Sequence, residues 1–313
     1  MAQRMAAGFG ARGHEVRYSH LEDAALDDVD IIHALNAERV GLPLLQRGLN
    51  PASVVITWTG TDLWNPEPFS ETDRALLAAA GGHTVLGRDA IPQVAHKVGI
   101  PGRDILLIPP GVDTGLFSPD GPRVDLPHPT LLLSGAGRHE KGALEALDLM
   151  DELTKACPAH FAIVGPARDP RYWDRVEERI GRSSNAKWYG TVELHDMPQW
   201  YRAADIVINT SYTEGLSNAL LEALSCGRPV LARDIPGNRS LLAPHHAGLL
   251  FRTPTEFVHR ALELLSRPDE ARALSERARR HAVKHYALAR EVDQFLGLYH
   301  DVVEGPCRRG AGQ

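Results

Sequence analysis

The stretch Asn209–Val230 reads NTSYTEGLSNALLEALSCGRPV. It begins at the end of an apolar run, Ile206–Asn209, and passes through a polar turn into a helical pattern. It then stops at Gly227 and enters a second apolar run at Val230–Ala232. Strand, turn, helix, glycine stop and strand make up the repeating unit of a parallel α/β sheet. Glu214 falls in the turn, and Glu222 lies about a turn and a half into the helix. Between them, Gly215, Leu216, Ser217 and Asn218 place backbone N–H groups at a helix N-terminus. Such an end attracts anions through unpaired donors and the positive end of the dipole, and Gly215 lets the chain approach a ligand closely. A carboxylate on each side of an anion cradle suits a ligand whose hydroxyls flank a phosphate, such as a nucleotide sugar. The plain alternative is an ordinary helix entry capped by Ser217, with two solvated glutamates.

A second stretch, Ser134-Gly-Ala-Gly-Arg-His-Glu-Lys-Gly142, follows another apolar run and opens another helix. Arg138 and Lys141 there can neutralise a diphosphate, the first as a fork and the second as a point charge. Gly135, Gly137 and Gly142 give GxGxxxxG, not the GxGxxG of dinucleotide sites, and no Ser or Thr follows Lys141 as a phosphate-binding P-loop requires. Beside the two glutamates, a solvated charged loop is the weaker reading of this stretch.

Outward from these motifs, short apolar runs alternate with helical patterns. The first series is Glu15–Tyr18, Asp30–Ala34, Val54–Trp58, Thr84–Leu86 and Ile105–Ile108. The second is Thr130–Ser134, Phe161–Val164, Lys187–Tyr189, Ile206–Asn209, Val230–Ala232 and Leu249–Phe251. Most are continuous rather than alternating, as expected for strands covered on both faces. In Thr255–Ser266, Phe257, Val258, Ala261, Leu262 and Leu265 share one helical face. Two such series in 313 residues predict two doubly wound α/β domains. Phe117–Pro129 holds four prolines and no periodicity, which is linker composition. The expected division is a first domain over 1–120, a linker over 121–129, a second domain over 130–284, a terminal helix over 285–303 and a frayed tail over 304–313. Met1–Arg12 reads as a helix that Gly13 stops, with no strand or Gly loop ahead of it, so the first domain reads as shortened.

Composition narrows the function classes. Charged residues are 24% and apolar ones 43%, an ordinary globular balance. No run of 18 apolar residues occurs. Residues 1–125 carry 10 Lys/Arg against 16 Asp/Glu and so hold the whole net charge of −6. No basic stripe is present, which argues against nucleic acid, and the acidic first half argues against docking on anionic lipid. Three separated cysteines offer neither a disulfide framework nor a metal clip, so a cytoplasmic protein is expected.

These residues resemble the retaining glycosyltransferases of family 4 (glycosyl transferases group 1). The family's E-x7-E element matches Glu214 and Glu222, its Arg/Lys element matches Arg138 and Lys141, and its interdomain signature matches Pro110-Gly111-Val112-Asp113 with Phe117 and Pro119. Stretches such as Thr59–Leu63 and Ala232–Asn238 look most similar to two branches, the proteins like glycosyltransferase 1 domain-containing protein 1 and the selenosugar synthases.

The resemblance implies a GT-B fold: two Rossmann-like domains, an interdomain cleft and a terminal helix crossing back onto the first domain. It implies that Arg138, Lys141 and Glu214 act in catalysis. Gly137, Gly165, Tyr189, Gly190, Thr191, Gly215, Leu216, Ser217, Asn218 and Glu222 would bind the donor, with Glu222 on the ribose and the Tyr189–Thr191 turn beside the base. It also implies a metal-free transfer without cofactor, from a donor that is expected to be a UDP-sugar, to a small-molecule or glycan acceptor. On the acceptor side the candidates are His33, Thr59 and Asp62, with Asn36 and Thr61 nearby; Thr59 stands where many members carry His. A sugar transfer to selenium or sulfur, an epimerase or phosphorylase, and a nucleotide-sugar-binding protein without turnover are the rival readings. His281 and His285, four apart on a helix, lack an evident third ligand and read as a solvated face; His245-His246 reads as plain loop.

Overall fold

The computed structural model describes residues 2–21, 26, 28–59, 61–65, 67–135 and 137–304 of the chain. It divides into two compact units, Met1–Gly111 with Leu288–Gln313, and Val112–Ala287. Both are built on parallel sheets.

In the first unit, β1 (Ile32–Leu35), β2 (Val54–Trp58), β3 (Gly82–Val85) and β4 (Ile105–Leu107) lie in sequential order. All five residues of β2 are buried because both of its faces are covered. Val54, Ile56 and Trp58 join one cluster with Leu77 and Val94, while Val55 joins another with Phe9, Val292 and Phe295. That alternation is the two-residue period of a strand, which a continuous apolar run conceals. The second cluster is covered by helices Ala2–Gly10 and Leu288–Glu304. They touch where Gly8 stands, since a Cβ there would lie 2.5 Å from Val292.

Glu15–Tyr18 corrects the sequence reading. It is not a strand of either sheet, and Val16 and Tyr18 are exposed. Its Glu15 and Arg17 pair with each other at 3.2 Å. β-Propensity alone does not make a strand when no neighbour supplies the ladder.

His83, on β3, is buried among apolar side chains. Its Nδ1 accepts from Trp58 Nε1 at 3.2 Å and its Nε2 donates to the Leu77 carbonyl at 3.0 Å. Only the neutral ring satisfies both contacts, and burial pushes the pKa from 6.5 down to about 4 despite the helping carbonyl. The unfolded chain takes up this proton near 6.5, whereas the folded chain takes it up only near 4. Stability from this group is therefore complete above pH 6.5 and falls by up to about 3 kcal/mol as the pH drops through that window. Denaturant titrations at pH 7.5 and 4.5 should show a smaller loss for His83→Gln than for the parent chain, and an equal loss would contradict this origin.

The second unit carries β5 (Thr130–Ser134), β6 (His160–Val164), β7 (Ala186–Trp188), β8 (Ile206–Asn209), β9 (Val230–Arg233) and β10 (Leu249–Phe251). Their order is β10-β9-β8-β5-β6-β7. Counted from β5 this is 3-2-1-4-5-6, the doubly wound arrangement, and it reverses direction between β5 and β8. Leu131, Leu133, Phe161, Ile163, Ile206 and Ile208 form the centre of its core, closed by Leu147, Met150, Phe257 and Ala261 from helices Ala143–Thr154 and Pro254–Ser266.

The Pro-rich stretch read as a linker clusters with this second unit. The Arg279 guanidinium donates to the carbonyls of Phe117 and Thr114 at 2.8 and 2.9 Å, Ser225 Oγ donates to Phe117 at 2.6 Å, and Arg202 donates to Pro122 at 2.8 Å. Carbonyls that no sheet or helix uses are here satisfied by the half-buried Arg279 and the buried Arg202. Leu288–Glu304 belongs to the first unit, while the tail beyond residue 304 lies outside the described residues.

Candidate functional site

A doubly wound sheet opens a crevice at the carboxyl ends of its strands where the winding reverses. In the second unit that point lies between Ser134, the last residue of β5, and Asn209, the last of β8. The loops that follow these two residues are the two motifs read from the sequence.

The loop after β5 is pinned from below. The Gly137 carbonyl accepts from the N–H groups of Arg168 and Asp169 at 3.0 and 2.9 Å. A Cβ on Gly137 would lie 1.7 Å from the Pro166 carbonyl oxygen, so only glycine fits this approach. Gly142, in the left-handed region at φ 66°, sits against the Thr210 backbone. Thr210 Oγ1 donates to the carbonyls of Lys141 and Gly142, both at 3.0 Å, and Tyr212 N–H donates to that of Glu140 at 2.9 Å. The two loops are thus stitched together through their backbones. Ala136 lies outside the described residues.

That stitching brings Lys141 Nζ to 2.7 Å from Glu214 Oε1, the lysine side chain 30% and the glutamate 10% exposed. Glu214 also accepts from Ser211 Oγ at 2.8 Å and from Asn209 Nδ2 at 3.4 Å. Asn209 is held in turn by Asn238 Nδ2, which donates to its Oδ1 at 2.9 Å. Glu214 is therefore oriented by a buried amide pair and a hydroxyl as well as by its cation. Arg138 is half exposed, with Glu140 3.6 Å away. It shares the loop with Lys141 but points to the open side.

The helix that follows, Asn218–Ser225, is capped by buried Ser217, whose hydroxyl accepts from Leu220 N–H. Capping and anion binding coexist, because one hydroxyl satisfies one of several first-turn donors. Gly215 is half-buried, Leu216 is buried and Asn218 is exposed. Glu222, on this helix, is linked to the β5 terminus through Tyr201. Its Oε2 accepts from the Tyr201 hydroxyl at 2.8 Å, and that hydroxyl lies 3.2 Å from Ser134 Oγ. Burial first, and then the Glu222 charge, hold the Tyr201 phenol well above its usual pKa, so it serves Glu222 as a donor.

The strand ends beyond β5 complete the edge. Gly165 N–H donates to the Gly190 carbonyl at 2.9 Å, which ties the β6 and β7 loops together. Tyr189 follows β7 at this edge, yet its hydroxyl meets His160 Nε2 at 2.9 Å, at the start of β6. The ring therefore lies back along the sheet, and only the backbone of Tyr189–Thr191 borders the edge. Thr191 is exposed.

The acceptor-side candidates lie in the first unit. His33 has both ring nitrogens engaged, Nδ1 with Tyr299 Oη and Nε2 with Thr57 Oγ1, each at 2.6 Å, and burial lowers its pKa to about 3. Asp62 is buried, accepting from Ala37 N–H at 2.8 Å and Thr59 N–H at 3.0 Å, and Thr59 Oγ1 accepts from Asn36 Nδ2 at 3.2 Å. Each of these contacts holds a turn. The side chain of Thr61 is outside what is described. Sequence reasoning missed Tyr201, Asn238 and Ser211, whose parts depend on pairing across the fold.

The model of the family described as glycosyl transferases group 1 matches residues 128–267. The chain is 32% identical over 139 residues to glycosyltransferase 1 domain-containing protein 1 of Xenopus tropicalis, a match covering 44% of this chain and 40% of that protein. It is 25% identical to D-inositol 3-phosphate glycosyltransferase 1 of Catenulispora acidiphila, over 89% of this chain and 73% of that one. Among solved structures, a glycosyltransferase of Rickettsia africae superposes with a TM-score of 0.75 at 19% identity, covering 89% of this chain and 78% of that one. HepE of Anabaena in complex with UDP superposes with a TM-score of 0.71 at 18% identity, over 88% and 79%. The chain thus has a GT-B fold, and its residues 128–267, built around the β5–β8 switch point, are similar to the group 1 glycosyltransferases.

Proposed function

We propose that the chain transfers a sugar from a nucleotide-sugar donor, a UDP-sugar in first place, to a small-molecule or glycan acceptor with retention of configuration. The observation that carries this reading is the Lys141–Glu214 pair at the mouth of a doubly wound sheet, beside the N-terminus of Asn218–Ser225. UDP is placed first because it is the nucleotide bound to HepE, which shares the fold.

Breaking a sugar–phosphate bond puts negative charge on the departing diphosphate while positive charge grows on the sugar. Lys141, with Arg138 on the same loop, and the first-turn N–H groups of the helix would offset that negative charge. Glu214, with its second oxygen beyond the Lys141 contact, would take sugar hydroxyls, and Glu222, steadied by Tyr201, would take the ribose. Retention follows if the acceptor attacks on the leaving-group face and passes its proton to the departing phosphate oxygen. Glu214 is committed to Lys141, Ser211 and Asn209 and is not set up as a general base.

Incubation with UDP-glucose and a panel of sugar, polyol and thiol acceptors, followed by release of UDP and by the proton NMR spectrum of the product, tests this directly. Release of UDP that depends on an acceptor, with the donor's anomeric configuration kept in the product, is the expected outcome. Tight nucleotide binding without release from any nucleotide sugar would instead favour a binding protein.

A further inference from the structure

One cluster outside the sheet crevice is unaccounted for. His281 and His285 lie one turn apart on helix Pro268–Tyr286, and the fold brings His245 from the short turn Pro244–His246 against them. One ligand atom from each of the three lies within 4.8 Å of the other two. His245 is therefore the third partner that spacing along the chain does not reveal.

Several features distinguish the cluster from a chance gathering. His281 is 4% exposed, and its Nε2 lies 2.9 Å from the Leu241 carbonyl. A carbonyl can only accept, so the proton sits on Nε2 and Nδ1 carries a lone pair. That Nδ1 is buried with no hydrogen-bond partner. An imidazole steadied through one nitrogen by a backbone carbonyl, with the other presenting a lone pair, is the arrangement of metal-ligating histidines. Burial, helped by the two neighbouring rings, pushes the His281 pKa down to about 4, which keeps it neutral at pH 7. His245 and His246 both have left-handed backbone, at φ 67° and 50°, which costs a non-glycine residue about 1 kcal/mol or more. This backbone presents the His245 ring to His285, stacked at 4.9 Å with 14° between planes. His285 is in the last turn of its helix, where the negative end of the dipole favours a cation. Against these stand two positive charges, Lys284 in the same turn and Arg277, whose Nε lies 3.5 Å from the His246 carbonyl.

We propose that His245, His281 and His285 bind a divalent transition-metal ion of the zinc, cobalt or nickel class, with a water completing the coordination. Three imidazole donors suit these borderline ions better than magnesium or calcium. Bonds of about 2.0–2.1 Å put tetrahedral donor atoms roughly 3.4 Å apart, so binding would draw together donor atoms that now lie within 4.8 Å of one another. The ion would join the turn at 244–246 to the end of helix Pro268–Tyr286, and so act as a clasp within the second unit.

The test uses the full chain freed of metal with a chelator that is then removed, titrated with zinc chloride alone at pH 7.5 in a calorimeter. Visible spectra of the cobalt-loaded chain report the ligand geometry. One zinc per chain, a rise in Tm and the absorption of four-coordinate cobalt are expected. His245→Ala and His285→Ala should each weaken binding about tenfold or more, while His246→Ala, exposed and outside the cluster, should leave it unchanged. His281 is buried and is left intact so that every variant folds. Absence of zinc binding, or binding that survives His245→Ala and His285→Ala together, would overturn the site.

Discussion

Lys141→Met is expected to lower kcat/KM for sugar transfer by about 100- to 1000-fold, the scale of losing one preorganised charge from a developing oxyanion. The loss has two parts. The cation nearest the leaving diphosphate disappears, and Glu214, 10% exposed and until then paired at 2.7 Å, is left with only Ser211 and Asn209 as donors. Its charge would then face the donor phosphates unopposed. Arg138 offers no replacement, since it is turned toward Glu140 on the open side of the loop. Arg138→Ala should accordingly cost less than Lys141→Met. Steady-state kinetics of both variants, with Tm measured alongside to show that they fold, test this. A Lys141→Met enzyme within about threefold of the parent would remove the lysine from the chemistry.

Gly137→Ala should be the most damaging single methyl in the second unit. Its Cβ would stand 1.7 Å from the Pro166 carbonyl oxygen, 2.8 Å from the carbonyl carbon and 2.9 Å from Arg168 N, all of them backbone atoms that no rotamer change can move aside. The loop must lift, and the bonds from Arg168 and Asp169 to the Gly137 carbonyl go with it. Overpacking of this kind costs about 1–3 kcal/mol of stability. It also displaces Arg138 and Lys141, so nucleotide affinity should fall more than stability does. Gly135→Ala is the comparison: nothing stands within 4 Å of its Cβ, and the penalty there is confined to its left-handed backbone at φ 81°. Thermal unfolding and nucleotide titration of the two variants should separate them clearly, and equal behaviour would show that the close approach to Pro166 does not matter.

The β8-to-β9 segment was legible because each of its signals is local. An apolar run marks the strand, Ser217 caps the helix, and Gly227, at φ 62°, ends it where a left-handed residue is needed. The same local grammar located Lys141 and Glu214, although their contact depends on Thr210 binding the carbonyls of the facing loop. Elsewhere the deciding contacts are distant in sequence. Glu15–Tyr18 has the composition of a strand but lies outside the ladders of both sheets. Phe117–Pro129 has the composition of a linker, yet Arg279 and Arg202, far along the chain, bind its carbonyls. Tyr201 reads as one more aromatic of a short buried helix, and only the fold shows its hydroxyl reaching Glu222. His245 lies 36 and 40 residues from its partners, beyond any motif.

Isothermal titration calorimetry with UDP, GDP and ADP, on the parent chain and on Glu222→Ala and Arg138→Ala, measures most directly whether the β5–β8 edge holds a nucleotide sugar. One of the three nucleotides should bind in the micromolar range, and each substitution should weaken it by about 1–3 kcal/mol, the worth of a charged hydrogen bond. Failure of all three nucleotides to bind, or binding indifferent to both substitutions, would contradict a donor site at this edge.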